Sequence, residues 1–379
     1  MKFQKLGILG GGQLGKMLCQ AAAKWHLPIS VLDKSTDVSA YPYCHEFVIG
    51  DFNNFDDVVS FGKNVDILTI EIEHVNVEAL EYLESIGKII HPSPSALRII
   101  KDKGLQKEFY SKHHFPTSDF ILVEGVSDII ENYKNNKIKL PFVQKTRTAG
   151  YDGKGVFICK NESDFSRLID VPSVIETYIP LKKEIAVIAC KNKDGQIALF
   201  EPVEMAFHDD ANLVEELLCP AAISEELKVK ATQLASDLIN AFNINGLLAI
   251  EFFVTKDDEL LINEVAPRPH NSGHHTIESC FTSQFEQHLR GVYNLPLGNT
   301  QQFINAIMIN LLGEEGFNGT PNYYNLEECM KIDGFNVHLY GKSQTKPFRK
   351  MGHVTIVNDD LEKAKEIADF VKSTLKVRT

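Results

Sequence analysis

Residues 247–275 read LLAIEFFVTKDDELLINEVAPRPHNSGHH, and two acids within them, Glu251 and Glu264, decide how the chain is read. Each acid interrupts an apolar run of strand length, LLAIEFFV or LLINEVA, where an unpaired carboxylate is costly. The intervening TKDD predicts a hairpin. A four-residue loop pairs Val254 with Glu259 and makes Glu264 the diagonal neighbour of Glu251. A two-residue Asp257-Asp258 loop sets the acids directly opposite each other, and a three-residue loop puts them on different faces. Two facing carboxylates need a cation. Oxygen-only donors suit Mg²⁺, which takes one or two carboxylates together with substrate phosphates. The plainer alternative gives each acid its own lysine on a half-exposed sheet.

The segment that follows, APRPHNSGHH, crowds Arg268, His270, Asn271 and His274 between two prolines and a glycine. Zinc on His270, His274 and His275 would need a helix, which Pro269 and Gly273 oppose. An arginine and a polar loop beside a Mg²⁺ site suit an anion better.

Upstream, KTRTAGYDGKG (145–155) places three glycines and several cations between two apolar strands. Glycines let backbone N–H groups approach a phosphate, and lysines neutralise it. The spacing is not that of a P-loop, and a strand follows rather than a helix. The segment reads as a glycine lid, with a plain hairpin turn as the alternative. In ETYIPLKKE (176–184), Glu176 ends one strand and Glu184 opens the next, a linker suited to a base and a ribose or simply to solvent. Near the end, GKSQTKPFRKMGH concentrates Lys342, Lys346, Arg349 and Lys350 within an acidic chain.

The N-terminal GILGGGQLGKML (7–18) forms a strand, a glycine loop and a helix start. Gly10, Gly12 and Gly15 satisfy G-x-G-x-x-G, and Asp33 closes the next apolar run, which is the dinucleotide fingerprint. That geometry suits a phosphate at a helix N-terminus and does not specify the nucleotide. Strands and helices alternate from residue 1 to about 95, as in a parallel doubly wound sheet. VDILTIEIE reads as a strand, with Glu71 and Glu73 competing for the same site. SPSALRIIKDKGLQKEFYSKHH reads as one long helix, ESDFSRLI as a short one and IALFEPVEMAF as a long β segment.

The chain has 379 residues and a net charge of -12, which disfavours nucleic acid as a partner. Seven scattered cysteines without a C-x-x-C fit buried reduced thiols in a cytoplasmic protein. No apolar run approaches the ~20 residues of a membrane span, and the N-terminus lacks a signal peptide pattern.

GGGQLGKML, TIEIEH, KTRTAGYDGKG, INEVAPRPHNSGH and LYGKSQTKPFRKMGH occur in this order over nearly the whole chain. They resemble the N5-carboxyaminoimidazole ribonucleotide synthases, ATP-grasp enzymes that carboxylate 5-aminoimidazole ribonucleotide (AIR) in purine synthesis. The resemblance implies a mixed α/β and α+β, ATP-grasp fold. A doubly wound α/β domain (1–95) would precede the ATP-grasp domain (96–296), whose lid subdomain spans about 115–175, and a small α/β cap (297–379). It implies the substrates ATP, bicarbonate and AIR, two Mg²⁺ ions and a homodimer, with no nucleic acid or membrane partner.

By the same resemblance, Glu251 and Glu264 match the Mg²⁺ ligands. Lys103, Lys145, Gly150, Gly153, Gly155, Glu176 and Glu184 fall at the ATP end. Tyr151, Asp152 and Lys154 match lid residues near AIR, while Arg268, His270 and Asn271 match the loop lining the bicarbonate region. Gly12, Gln13, Leu14, Lys342 and Arg349 match the AIR-binding end, with Glu73 as an acid on that side. Three other readings stand beside this one: another ATP-grasp ligase with a different acceptor, an NAD-dependent oxidoreductase, and a catalytically inactive protein of the same fold.

Overall fold

The computed structural model describes residues 3–148, 155–207 and 214–379. The first apolar strand, Leu6–Leu9, is the middle of a five-stranded parallel sheet. Ile29–Asp33 and Glu46–Ile49 extend it on one side, and Ile67–Ile70 and Ile89–His91 on the other. The order reverses beside the first strand, which makes its C-terminal end a crevice. Helices cover both faces. Gln13–Ala23 packs Leu14, Met17 and Leu18 on one, and Phe55–Lys63 with Val77–Ser85 pack Val58, Leu80 and Leu83 on the other. Asn76 caps the last of these helices by accepting from Ala79 N at 2.8 Å.

The VDILTIEIE strand ends at Ile70, and Glu71 leaves the sheet to bond the glycine loop. The expected long helix over 93–114 is two helices, Pro94–Ile100 and Lys103–Lys112. Asp102 breaks it, because its carboxylate caps the second helix through Gly104 N and Leu105 N. IALFEPVEMAF is likewise split into Ile197–Leu199 and Val203–Phe207, with Pro202 between them. ESDFSRLI forms a 3₁₀ turn over Glu162–Arg167.

A four-stranded antiparallel sheet follows, in the order Phe120–Val123, Ser173–Thr177, Phe142–Thr146, Val156–Cys159. It stands over a nine-stranded sheet whose edge is the hairpin Gly246–Thr255 and Leu260–Ala266, beside the long strand Leu181–Lys191. Residues alternate along Gly246–Thr255. Ile250, Phe252 and Val254 meet the helix Glu225–Ala241 in the core, while Ala249, Glu251 and Phe253 face a cavity. The C-terminal strands extend this same sheet, since Asn305–Leu312 pairs with Val214–Cys219. Among the described residues, no helix is long and apolar enough to cross a membrane.

Candidate active site

The two sheets and the N-terminal domain enclose a cavity of about 1630 Å³. Its floor is a row of carboxylates. Glu251 stands directly opposite Glu264, and Glu184, opposite Phe253 on the next strand, is the diagonal neighbour of Glu251. The turn does not have either length that aligns the acids. Thr255 N donates to Glu259 O at 2.9 Å, which leaves a three-residue loop, 256–258, with Asp258 at φ +59°. That loop alone would pair Glu251 with Asn263. A bulge between Glu251 and Glu264 on one side and Phe252 and Ile262 on the other restores the facing pair.

The extra residue, Asn263, enters the site. Its Oδ1 accepts from Lys145 Nζ at 2.8 Å, and its Nδ2 lies 3.4 Å from Glu251 Oε2. Lys103 Nζ pairs with Glu264 and holds that carboxyl below the usual carboxylate range. Glu251 has only distant partners among the described residues, Asn263 and His270 Nε2, the latter at 3.6 Å. Burial, then the charges of Glu264 and Glu184, push its carboxyl well above the usual carboxylate range. Burial likewise raises Glu184 to about 7. Such a row, short of positive charge and made of oxygen donors, fits Mg²⁺ held partly by substrate phosphates. Among the described residues there is no cluster of three or more His, Cys, Asp or Glu suited to a metal, so these residues alone supply no complete cage.

Above the row, Lys145 reaches down from the small sheet, 3.2 Å from Glu176 Oε1. Lys107 approaches the same oxygen at 3.2 Å, and Ser118 Oγ donates to Oε2 at 2.8 Å. Burial favours the protonated acid, but Lys145 and Lys107 outweigh it and hold Glu176 at about 2. Glu176 is 3% exposed, so its carboxylate anchors the lysines more than it offers itself to a base. The sequence reading passed over Lys107. Its spacing of four from Lys103 puts both ammonium groups on one helix face, a signal present in KDKGLQK.

At the other end, Arg268 Nε lies 2.8 Å from Glu73 Oε2, and both residues line the cavity with Gln13, His270 and Lys350. His270 Nδ1 accepts from Ser272 N at 3.3 Å and lies 2.8 Å from Ser272 Oγ, which then donates to it. Asn271 also lines the cavity, but its amide is engaged reciprocally with Asn310 at 2.9 Å, which marks it as a loop anchor. His274 and His275 are buried and bonded to Gln284 and Ser279, away from any shared metal position.

The glycine loop argues against a bound dinucleotide. Glu71 accepts from Gly12 N at 2.8 Å and Gly15 N at 2.9 Å, and Asp33 accepts from Gly11 N at 2.6 Å. The donors that would bind a pyrophosphate are therefore spent on the chain's own acids. A Cβ on Gly12 would stand 2.7 Å from Glu71 Oε1, and Gly10 holds φ +95°. Gly12 shapes this loop, and Asp33 is engaged with Gly11 N rather than held out for a ribose hydroxyl. Gln13 and Leu14 both line the cavity, and Leu14 also packs into the core.

Lys342 and Arg349 do not line the main cavity; Lys350, from the same segment, does. Lys342 Nζ donates to Lys350 O at 2.7 Å and Arg349 Nη1 to Gln344 O at 2.6 Å. The segment abuts the N-terminal domain, where Lys16 Nζ donates to Leu339 O and Ser343 Oγ to Asp37. Of the glycine lid, Gly155 is described, at φ +77° with its carbonyl on Thr146 N. Gly150, Tyr151, Asp152, Gly153 and Lys154 lie outside the described residues.

Comparison with known proteins gives three family matches in succession. A ribonucleotide synthetase preATP-grasp domain matches residues 3–101 and an ATP-grasp domain residues 108–285. A phosphoribosylaminoimidazole carboxylase C-terminal domain matches residues 306–367. The chain is similar to N5-carboxyaminoimidazole ribonucleotide synthetase from Thermotoga maritima, with 41% identity, TM-score 0.92 and full coverage of both chains. It resembles the Aspergillus clavatus N5-carboxyaminoimidazole synthase, solved with ADP and 5-aminoimidazole ribonucleotide, at 31% identity and TM-score 0.88, covering 98% of this chain and 99% of that one. It is 39% identical to the chloroplastic phosphoribosylaminoimidazole carboxylase of Vigna aconitifolia over 94% of its own length, but spans only 64% of that longer protein.

Proposed function

The chain belongs to the N5-carboxyaminoimidazole ribonucleotide synthase family of ATP-grasp enzymes, and on that basis we propose that it carboxylates the exocyclic amine of AIR with bicarbonate, converting ATP to ADP and phosphate. One observation carries the reading: a single cavity holds the acid row with Lys103 and Lys145 at one end and the Arg268–Glu73 pair at the other. ATP phosphates suit the first end and an anion with an amine the second.

Bicarbonate is a poor electrophile. Attack of its oxygen on the γ-phosphoryl group releases ADP and gives carboxyphosphate. The amine nitrogen of AIR then bonds to the carbonyl carbon, phosphate leaves, and the amine loses a proton. Glu251 and Glu264 would hold Mg²⁺, which when bound neutralises the phosphoryl oxygens. Lys145 would neutralise the same group from above. Arg268 would orient bicarbonate through its guanidinium. The departing phosphate or Glu73 would accept the amine proton. Carboxyphosphate hydrolyses readily, so closure of the 148–155 lid would exclude water.

Lys342 and Arg349 would hold the AIR phosphate, with Gln13 and the lid residues Tyr151, Asp152 and Lys154 beside it. Glu184 would meet the ribose of ATP, and the linker after Glu176 its base, with the lid glycines over its phosphates. The divisions 1–95, 96–296 and 297–379 follow the same reading, as does a homodimer. Seven free cysteines support a cytoplasmic setting. The test is ADP release in the presence of bicarbonate, with and without AIR. Strong stimulation by AIR is expected, and ADP release indifferent to AIR would overturn the reading.

A further inference from the structure

Gln284, the first residue of the helix Gln284–Val292, makes three hydrogen bonds into the loop that carries His270. Its Oε1 accepts from His270 N at 2.9 Å, and its Nε2 donates to His270 O at 2.7 Å. The same Nε2 lies 3.2 Å from His274 Nδ1. The backbone fixes which end of the amide is which, because a main-chain N–H can only donate and a carbonyl can only accept. The amide nitrogen therefore faces His274 Nδ1 as a donor, and Nδ1 must accept. A neutral His274 then carries its proton on Nε2.

Gln284 is fully buried, and Gly273 makes room for it, since a Cβ there would stand 2.6 Å from Gln284 Cδ and Oε1. Its own N–H donates to Thr276 Oγ1 at 2.9 Å, which binds Gly273 O in turn. The loop is thus tied to the helix at both ends. The helix is itself fixed, with Phe285 and Leu289 in the core shared with Leu14 and Leu18. His274 lines the cavity beside Arg268 and His270.

We propose that Gln284 is a positioning residue for the reaction: its amide sets the His270 main chain and locks His274 as the Nε2–H tautomer, so that the cavity is lined by a neutral N–H donor suited to an oxyanion. The proposal rests on the carboxylation reading for its reaction, but its geometry does not. Burial independently keeps His274 uncharged.

The test is nitrogen-15 histidine spectroscopy on the full-length enzyme, with His274 assigned by loss of its signal in His274→Gln. The wild type is expected to show His274 protonated at Nε2 alone. Gln284→Glu keeps the acceptor for His270 N but removes both donors. It should move a proton to His274 Nδ1 and lower kcat on the order of 10²-fold, the scale of a misplaced reacting group. The KM for ATP should stay within about twofold, because ATP-end binding is untouched. An Nδ1–H tautomer in the wild type, an unchanged His274 in Gln284→Glu, or unchanged turnover despite the switch would each overturn the proposal. The wild-type spectrum decides the tautomer whatever the stability of the variant. Absence of AIR-stimulated turnover in the wild type would instead count against the carboxylation reading and leave the tautomer result standing.

Discussion

Glu251 and Glu264 face each other across the edge hairpin only because Asn263 is bulged out of the ladder between them and the turn. The bulge concentrates negative charge where the buried Glu251 has no close cation among the described residues. Such an arrangement costs stability unless a cation completes it.

Replacing Glu251 or Glu264 with Gln should therefore abolish AIR-stimulated ADP release. Glu251→Gln should also raise the melting temperature of the metal-free protein at alkaline pH, where the raised carboxyl would otherwise ionise against Glu264 and Glu184, and change it little at neutral pH. Turnover assays and thermal unfolding with and without Mg²⁺ check both parts. Near-normal turnover in either variant would contradict the metal assignment.

Glu176 should contribute to stability in a pH-dependent way. Its folded carboxyl is held at about 2, below the ordinary 4.5. The stabilisation is then complete above about 4.5 and lost as the pH falls towards 2. Glu176→Gln leaves Lys107 and Lys145 buried around a neutral group, which should cost about 3–5 kcal/mol near pH 7. Urea unfolding should show that penalty shrinking below pH 4; a penalty independent of pH would refute the ion-pair account.

The glycine loop should reject dinucleotides. With Gly11, Gly12 and Gly15 bonded to Asp33 and Glu71, titration with NADH should give no saturable fluorescence change. Glu71→Gln keeps one acceptor but turns its amide donor towards the other backbone N–H, and should destabilise the fold by about 1–3 kcal/mol. Saturable NADH binding would reopen the oxidoreductase reading.

Lys145 and Lys342 should separate the proposed ATP site from the proposed AIR-phosphate site. Lys145→Ala should raise the KM for ATP, and Lys342→Ala the KM for AIR far more than that for ATP. Equal effects of Lys342→Ala on both substrates would exclude its phosphate role.

Much of the site was legible from the sequence because its acids interrupt apolar strands, where a charge needs a reason. The facing of Glu251 and Glu264 was anticipated, but for the wrong loop lengths. A three-residue turn and a compensating bulge leave no mark in apolar alternation. The glycine fingerprint correctly located a strand, loop and helix start. It could not show that Glu71, 56 residues beyond Gly15, occupies the loop, because that contact depends on sheet order. The break at Asp102 was hidden by continuous helical periodicity on either side. Gln284 was silent for a different reason, since a glutamine at a helix start looks like an ordinary surface residue until the loop beneath it is in place.

Oxygen transfer tests the central claim most directly. Turnover with ¹⁸O-labelled bicarbonate, ATP and AIR, followed by ³¹P spectroscopy of the products, reports whether bicarbonate oxygen bonds to the γ-phosphorus. The carboxyphosphate route predicts inorganic phosphate carrying a single label from bicarbonate, formed in step with carboxylated AIR. Unlabelled phosphate accompanying carboxylated product would contradict it.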